Sequence, residues 1–337
     1  MAAPDNAIGV IGAGSWGTAL TVQLARAGQT PTLWGREPEV IRTLTEQRCN
    51  TVFLPDVPLP DAVKVEADLE ALVASHRDLL VCVPSHVFRS VLESLRGTLQ
   101  PNARIAWATK GFELSTGRLP HQVAQETLGA GVPLAVVSGP TFAREVGLGL
   151  PTAMTVAATR SDFADELAER FADERFRAYT SADMTGVEVG GAVKNVLAIA
   201  TGLSDGLGFG ANTRVALITR GLAEMTRLGI ALGASADTFA GLSGMGDLVL
   251  TCTDDQSRNR RMGLALAAGR SVDDTAAEIG QVVEGVKAAA AVRTVAHQFG
   301  VDMPICEQVY SILYEELPPS AAVAALMQRE VKPEDAP

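Results

Sequence analysis

The sequence predicts an α/β fold: a doubly wound, parallel-stranded amino-terminal domain followed by an all-helical carboxy-terminal domain. Three observations predict it. Short apolar runs rich in Val, Ile and Leu alternate with helical patterns through the first half, as buried parallel strands and their crossover helices do. A glycine-rich turn, Gly12-Ala13-Gly14-Ser15-Trp16-Gly17, stands between the first strand and the first helix. From about Met184 onward the apolar residues recur at helical spacing and strand-like alternation nearly vanishes.

The elements follow in order. Residues 7–11 read as a short buried strand and 18–27 as a helix stopped by Gly28. Residues 30–34 are the second strand, 78–83 the third, ended by Pro84, and 104–109 the fourth. Residues 133–138 and 151–158 are the fifth and sixth, expected to join the same parallel sheet. Helices are expected over 187–202, 214–229, 258–268, 285–300 and 304–315. The domain boundary falls near residue 190, at a helix start, giving domains over 1–190 and 191–337. The tail from Gln328 is charged and proline-containing and is expected to fray.

Composition excludes several classes. The chain of 337 residues is 47% hydrophobic and carries a net charge of −11. That balance argues against nucleic acid and anionic membranes as partners. An anionic ligand must then be held by local cations and backbone N–H groups. Cys49, Cys82, Cys252 and Cys306 form no CxxC pair, and His76, His86, His121 and His297 form no metal motif, so no metal is expected. No apolar run approaches the roughly 20 residues of a membrane helix, and no signal peptide is visible, so a cytoplasmic protein is expected.

The glycine turn sits between strand and helix, the context of a Rossmann-like dinucleotide site. Gly12 allows the tight turn, Gly14 the approach of a pyrophosphate, and Gly17 close helix–strand packing. The alternative is a glycine-rich turn with no ligand. Arg36, just past the second strand, stands where dinucleotide sites read the ribose. Arginine suits a 2′-phosphate and so favours NADPH, with NADH left possible. Glu37 beside it offers the contrary option, an acceptor for a ribose hydroxyl.

Reduction of a carbonyl needs a proton donor. Lys194 is the candidate: it is the one charge in the apolar helix Gly190-Gly191-Ala192-Val193-Lys194-Asn195-Val196. Gly190, Gly191 and Ala198 leave room beside its ammonium, and burial would lower its pKa. The alternative is a lysine snorkelling from a core helix. Lys110 follows the fourth strand, and Gly139 and Thr141 follow the fifth, at the strand ends where α/β sheets bind ligands. Ser257-Arg258-Asn259 at a helix start makes a phosphate clamp or an ordinary capped helix. Asp247 orients Lys194, hydrogen-bonds a substrate hydroxyl or is a turn residue, and Glu284 is a helix-start acid. A hydroxy-acid dehydrogenase of the same architecture and a non-catalytic nucleotide sensor both remain compatible with these residues.

Taken together, GAGSWGTAL at 12–20, TKG at 109–111, SGPTFARE at 138–145, VKN at 193–195, GMGDLVLTC at 244–252, SRNR at 257–260 and VEG at 283–285 resemble the bacterial NAD(P)-dependent glycerol-3-phosphate dehydrogenase family. The resemblance implies reduction of dihydroxyacetone phosphate to sn-glycerol 3-phosphate for phospholipid synthesis. It implies Lys194 as proton donor or acceptor. Substrate contacts would come from Lys110, Gly139, Thr141, Asp247, Ser257, Arg258 and Asn259. Cofactor contacts would come from Ser15, Trp16, Arg36, Phe53, Lys110, Ala143, Arg258, Val282 and Glu284. A homodimer is compatible with an exposed helical domain.

Overall fold

The structure, a computed structural model, describes residues 7–328. Its contacts divide the chain into two compact units. One comprises the chain up to Lys110 together with Pro120–Met184; the other comprises Gly111–Leu119 and the chain from Thr185. The tail expected to fray lies outside the described residues, except for Gln328, which ends the last helix.

Among the described residues the first unit has ten strands: β1 (Ile8–Ile11), β2 (Thr32–Trp34), β3 (Cys49–Asn50), β4 (Leu54–Pro58), β5 (Lys64–Glu66), β6 (Asp78–Val81), β7 (Arg104–Trp107), β8 (Leu134–Ser138), β9 (Thr152–Ala158) and β10 (Phe176–Ser181). Seven helices connect them: α1 (Ser15–Arg26), α2 (Pro38–Glu46), α3 (Leu69–Ser75), α4 (Ser85–Leu95), α5 (Pro120–Leu128), α6 (Ala143–Leu148) and α7 (Ser161–Phe171). Eight strands form one sheet in the order β10-β9-β8-β7-β6-β1-β2-β5. Val10 of β1 is in register with Leu33 of β2 on one side and Leu80 of β6 on the other, both parallel. These three side chains are fully buried, and each such burial is worth about 1.5–3 kcal/mol. The chain winds from β1 toward β5 in one direction, then from β6 toward β10 in the other. The reversal lies between β1 and β6, and such a switch point opens a ligand crevice at the strands' carboxyl ends.

One expectation is overturned. The sixth expected strand, β9, runs antiparallel to β8, with Val136 opposite Ala157. A strand buried on both faces shows a continuous apolar run whichever way it points, so its direction leaves no mark in the pattern. Three further elements lacked a signal. β5 has three residues, none fully buried. β10 buries only Phe176. The antiparallel hairpin of β3 and β4 pairs only two residues of β3.

In the second unit no strand occurs among the described residues. Its helices are α8 (Met184–Gly206), α9 (Ala211–Ala231), α10 (Asp247–Thr253), α11 (Arg258–Ala267), α12 (Val272–Ile279), α13 (Glu284–Gln298), α14 (Pro304–Tyr314) and α15 (Pro319–Met327). A 3₁₀ turn (Ala236–Ala240) and a π-helical turn (Leu242–Gly246) precede α10. Residue 190, the expected boundary, lies inside α8. That helix is buried without a break over 186–204, and a helix apolar on all sides is the axis of its unit. Neighbouring backbones meet it at glycine. A Cβ at Gly190 would strike the carbonyl of Ser243, and one at Gly202 the carbonyl of Arg260. Among the described residues no helix is long and apolar enough to cross a membrane.

Candidate active site

The glycine turn follows β1 and leads into α1. Gly12 has φ +119°, and a Cβ there would strike the carbonyl of Cys82; only glycine fits. A Cβ on Gly17 would strike the carbonyl of Gly12, which explains how α1 approaches the strand. Gly14 differs: a Cβ there meets nothing within 4 Å. It is the N-cap of α1, so open space lies over the helix end whose amides and positive dipole favour an anion. Ser15 and Trp16 form the first turn. The indole Nε1 of Trp16 is buried with no hydrogen-bond partner among the described residues.

Arg36 lies just beyond β2 and is exposed. It is engaged locally: its Nη2 donates to Glu37 Oε1 at 2.8 Å and its Nε to the same oxygen at 3.2 Å. The two options weighed for this position therefore occupy one ion pair. Phe53 sits in the turn of the β3–β4 hairpin, half-buried against the core of the first unit. Its N–H donates to Oδ1 of Asn50 at 3.1 Å.

At the far side of the switch point, Lys110 follows β7 after Thr109, whose hydroxyl donates to the carbonyl of Val83 at 2.7 Å. Gly139 follows β8 with φ +150°. The hydroxyl of Thr141 donates to the carbonyl of Gly139 at 3.2 Å, and Ala143 opens α6. Ser138 Oγ, at the end of β8, is buried with no partner among the described residues.

In the second unit Lys194 is buried, and its Nζ donates to Asp247 Oδ1 at 2.5 Å and to Thr251 Oγ1 at 2.9 Å. The cluster depends on the glycines. Gly190 lets the π-helical turn dock on α8, and Gly244 rests on the backbone of Phe239. That docking starts α10 at Asp247, which is fully buried. Thr251 lies one turn further along α10, and its hydroxyl also donates to the carbonyl of Asp247 at 2.6 Å. The carboxylate compensates the ammonium, so the charge is not left alone in an apolar interior. The short contact is the arrangement expected if Asp247 orients Lys194. Thr251 escaped the sequence reading, because its spacing from Asp247 has meaning only once 247–253 is known to be helical.

Beside Lys194, Asn195 begins a chain of amides. Its Oδ1 accepts from Asn259 Nδ2 at 2.8 Å, and Asn259 Oδ1 accepts from the N–H of Gly285 at 2.9 Å. This chain joins α8 to the starts of α11 and α13. Ser257 caps α11 by accepting from the N–H of Arg260 at 3.2 Å. Arg258, the first residue of α11, donates to Gln281 Oε1 at 3.3 Å. Arg260 is buried and held by Asp205, and by Asp255 at 2.8 Å, so the second arginine of the string anchors the helix and the first is left at its opening turn. Val282 and Glu284 flank the N-cap of α13.

Within the first unit the fold brings Gly12, Gly14, Ser15, Trp16, Gly17 and Phe53 together. Within the second it joins Lys194 to Asp247 and Thr251 in one hydrogen-bonded cluster, and Asn259 to Asn195 in another beside it.

Residues 7–164 match the family model of the NAD-dependent glycerol-3-phosphate dehydrogenase N-terminus, and 183–324 that of its C-terminus. Over 333 residues, 98% of this chain and 100% of the relative, it is 56% identical to a glycerol-3-phosphate dehydrogenase [NAD(P)+] of Aeromonas salmonicida. It is 57% identical over 306 residues to the protein of that name from Escherichia coli strain K12 / DH10B, covering 90% of each. The crystal structure of a glycerol-3-phosphate dehydrogenase from Coxiella burnetii superposes with a TM-score of 0.93 at 46% identity, covering 96% of this chain and 99% of that one.

Proposed function

The chain belongs to the NAD-dependent glycerol-3-phosphate dehydrogenase family, and from that premise we propose that it reduces dihydroxyacetone phosphate to sn-glycerol 3-phosphate with NADPH, NADH serving as the alternative. The observation that carries the reading is the buried Lys194–Asp247–Thr251 cluster. A buried ammonium oriented by a carboxylate and a hydroxyl suits proton donation to a carbonyl oxygen.

A dinucleotide fits the residues of the first unit. Open space over Gly14, the α1 amino terminus and the unpartnered indole of Trp16 all suit a polyanionic ligand with N–H acceptors. Gly12, Gly14, Ser15, Trp16 and Gly17 would hold its pyrophosphate, Arg36 a 2′-phosphate, and Phe53 would flank it. When bound, NADPH supplies the hydride for the carbonyl carbon. Lys194 gives a proton from Nζ to the carbonyl oxygen as negative charge develops there. Asp247 fixes the direction of that N–H and balances the charge before transfer. Arg258 and the first turn of α11 take the substrate phosphate, supplying the local positive charge that a chain of net charge −11 needs. Lys110, Gly139 and Thr141 add contacts to the substrate, and Lys110, Ala143, Arg258, Val282 and Glu284 to the dinucleotide. Action in the cytoplasm, supply of glycerol phosphate to phospholipids, and a homodimeric state complete the proposal.

A comparison of substrates tests the phosphate clamp. Dihydroxyacetone phosphate should be turned over at least ~100-fold more efficiently than dihydroxyacetone, since a charge-assisted contact is worth about 1.5–3 kcal/mol and the clamp makes more than one. Equal efficiency for the two ketones, or preference for a 2-keto acid, would remove the reading.

A further inference from the structure

Asn50 is fully buried, is none of the candidate site residues, and bonds to the glycine turn, to α1 and to the hairpin turn beside it. Its Nδ2 donates to the carbonyl of Ala13 at 2.9 Å and to Thr18 Oγ1 at 2.8 Å, and its Oδ1 accepts from the N–H of Phe53 at 3.1 Å. The amide has only one sensible orientation here. A carbonyl needs a donor facing it and an N–H needs an acceptor.

These bonds have a consequence for the turn. Ala13 C=O and Gly14 N–H belong to the same peptide group, and in a planar trans peptide they point in opposite directions. Asn50 draws the Ala13 carbonyl inward, toward the buried base of the β3–β4 hairpin. The Gly14 N–H is thereby aimed away from Asn50, at a residue where an added Cβ would meet no atom within 4 Å. Thr18, another partner of Asn50, ties the following Gly14–Ser15 peptide to α1, because its N–H donates to the carbonyl of Gly14 at 3.0 Å. We infer that Asn50 is a positioning residue for dinucleotide binding: it locks the Ala13–Gly14 peptide with its N–H presented to a pyrophosphate oxygen, and by the same side chain sets the hairpin turn that carries Phe53. The inference rests on the dinucleotide reading above. Its physical content is preorganisation, since a peptide free to flip must be ordered by each ligand that binds.

The test uses Asn50→Ala and Asn50→Asp. The Asp variant keeps an acceptor for Phe53 N–H and removes the donor to Ala13, which separates the two roles. Two probes are titrated calorimetrically. ADP-ribose 2′-phosphate contains a pyrophosphate; 2′-AMP does not. Both variants should lose ~10- to 100-fold in affinity for the first probe, the worth of a hydrogen bond to a charged acceptor. For 2′-AMP the change should stay within about 2-fold, as for an independent site. Thermal midpoints without ligand show whether each variant is folded. In the unaltered chain, the amide proton of Gly14 should shift downfield in NMR spectra with the pyrophosphate probe and stay in place with 2′-AMP. Pyrophosphate affinity close to that of the unaltered chain, equal loss for both probes, or an unmoved Gly14 amide overturns the role of Asn50. Failure of the unaltered chain to bind either probe overturns the dinucleotide reading and this inference together.

Discussion

At the residue scale the account turns on Lys194. It was legible because it is the one charge in the apolar stretch 189–204, with Gly190 and Gly191 one turn before it. Its partner Thr251 was not, and neither was Asn50, whose bond to Ala13 spans 37 residues. Sequence spacing reveals neighbours within a helix turn; it is silent on contacts that only the tertiary fold creates. Lys194→Ala should lower kcat by ~10²- to 10⁴-fold, the range for loss of a general acid. Binding of NADPH, followed by its fluorescence, should change little. Turnover near the original rate would move the proton donor elsewhere. Arg36 is the second residue-scale case. Its ion pair with Glu37 is exposed on both sides, and such pairs are worth only ~0.2–1 kcal/mol. Glu37→Gln releases Arg36 for a 2′-phosphate. The ratio of NADPH to NADH efficiency should rise by about 2- to 5-fold, which is that energy expressed as a ratio. An unchanged or lower ratio would mean that Glu37 does not compete for Arg36.

At the element scale, the order of strands and helices was legible because buried runs and amphipathic faces are local patterns. Direction and edges were not, as β9, β10 and the β3–β4 hairpin show. Glycine packing on α8 was likewise hidden, since Gly190 reads only as a small residue until Ser243 is seen against it. Gly190→Ala should cost about 1–3 kcal/mol through overpacking, and it should lower kcat by displacing Asp247. A thermal melt and an assay of one preparation check both; an unchanged melting temperature would show that the two segments have room to spare. Glu224 of α9 makes the same point for polar groups. It is buried and caps α14, accepting from Ile305 N–H at 2.7 Å and Cys306 N–H at 3.2 Å. Burial pushes its carboxyl up to about 7 from an ordinary 4.5. The folded chain therefore holds this proton where the unfolded chain has lost it. The resulting stability is present in full below pH 4.5 and is lost as pH rises through about 7. Glu224→Gln should flatten the fall in melting temperature between pH 5 and pH 8; identical slopes would assign that fall to other groups.

At the scale of the whole molecule, composition and charge excluded partners more readily than they named one. The net charge of −11 made a polyanion as partner implausible, yet the proposed substrate is itself anionic. The two statements are compatible because phosphates are held by a helix start, an arginine and backbone amides, whose fields act over a few ångströms and are not averaged over the surface. Each unit supplies one part of the account: the first offers the open helix end at Gly14, the second the ammonium of Lys194 and the opening turn of α11. The central claim is that these parts serve a single reduction. Its most direct test is to mix purified protein, NADPH and dihydroxyacetone phosphate and to quantify both NADPH consumed and sn-glycerol 3-phosphate formed. The two should match mole for mole, and neither should change without the ketone. NADPH that binds but is not consumed at saturating substrate, or is consumed without formation of sn-glycerol 3-phosphate, would contradict it.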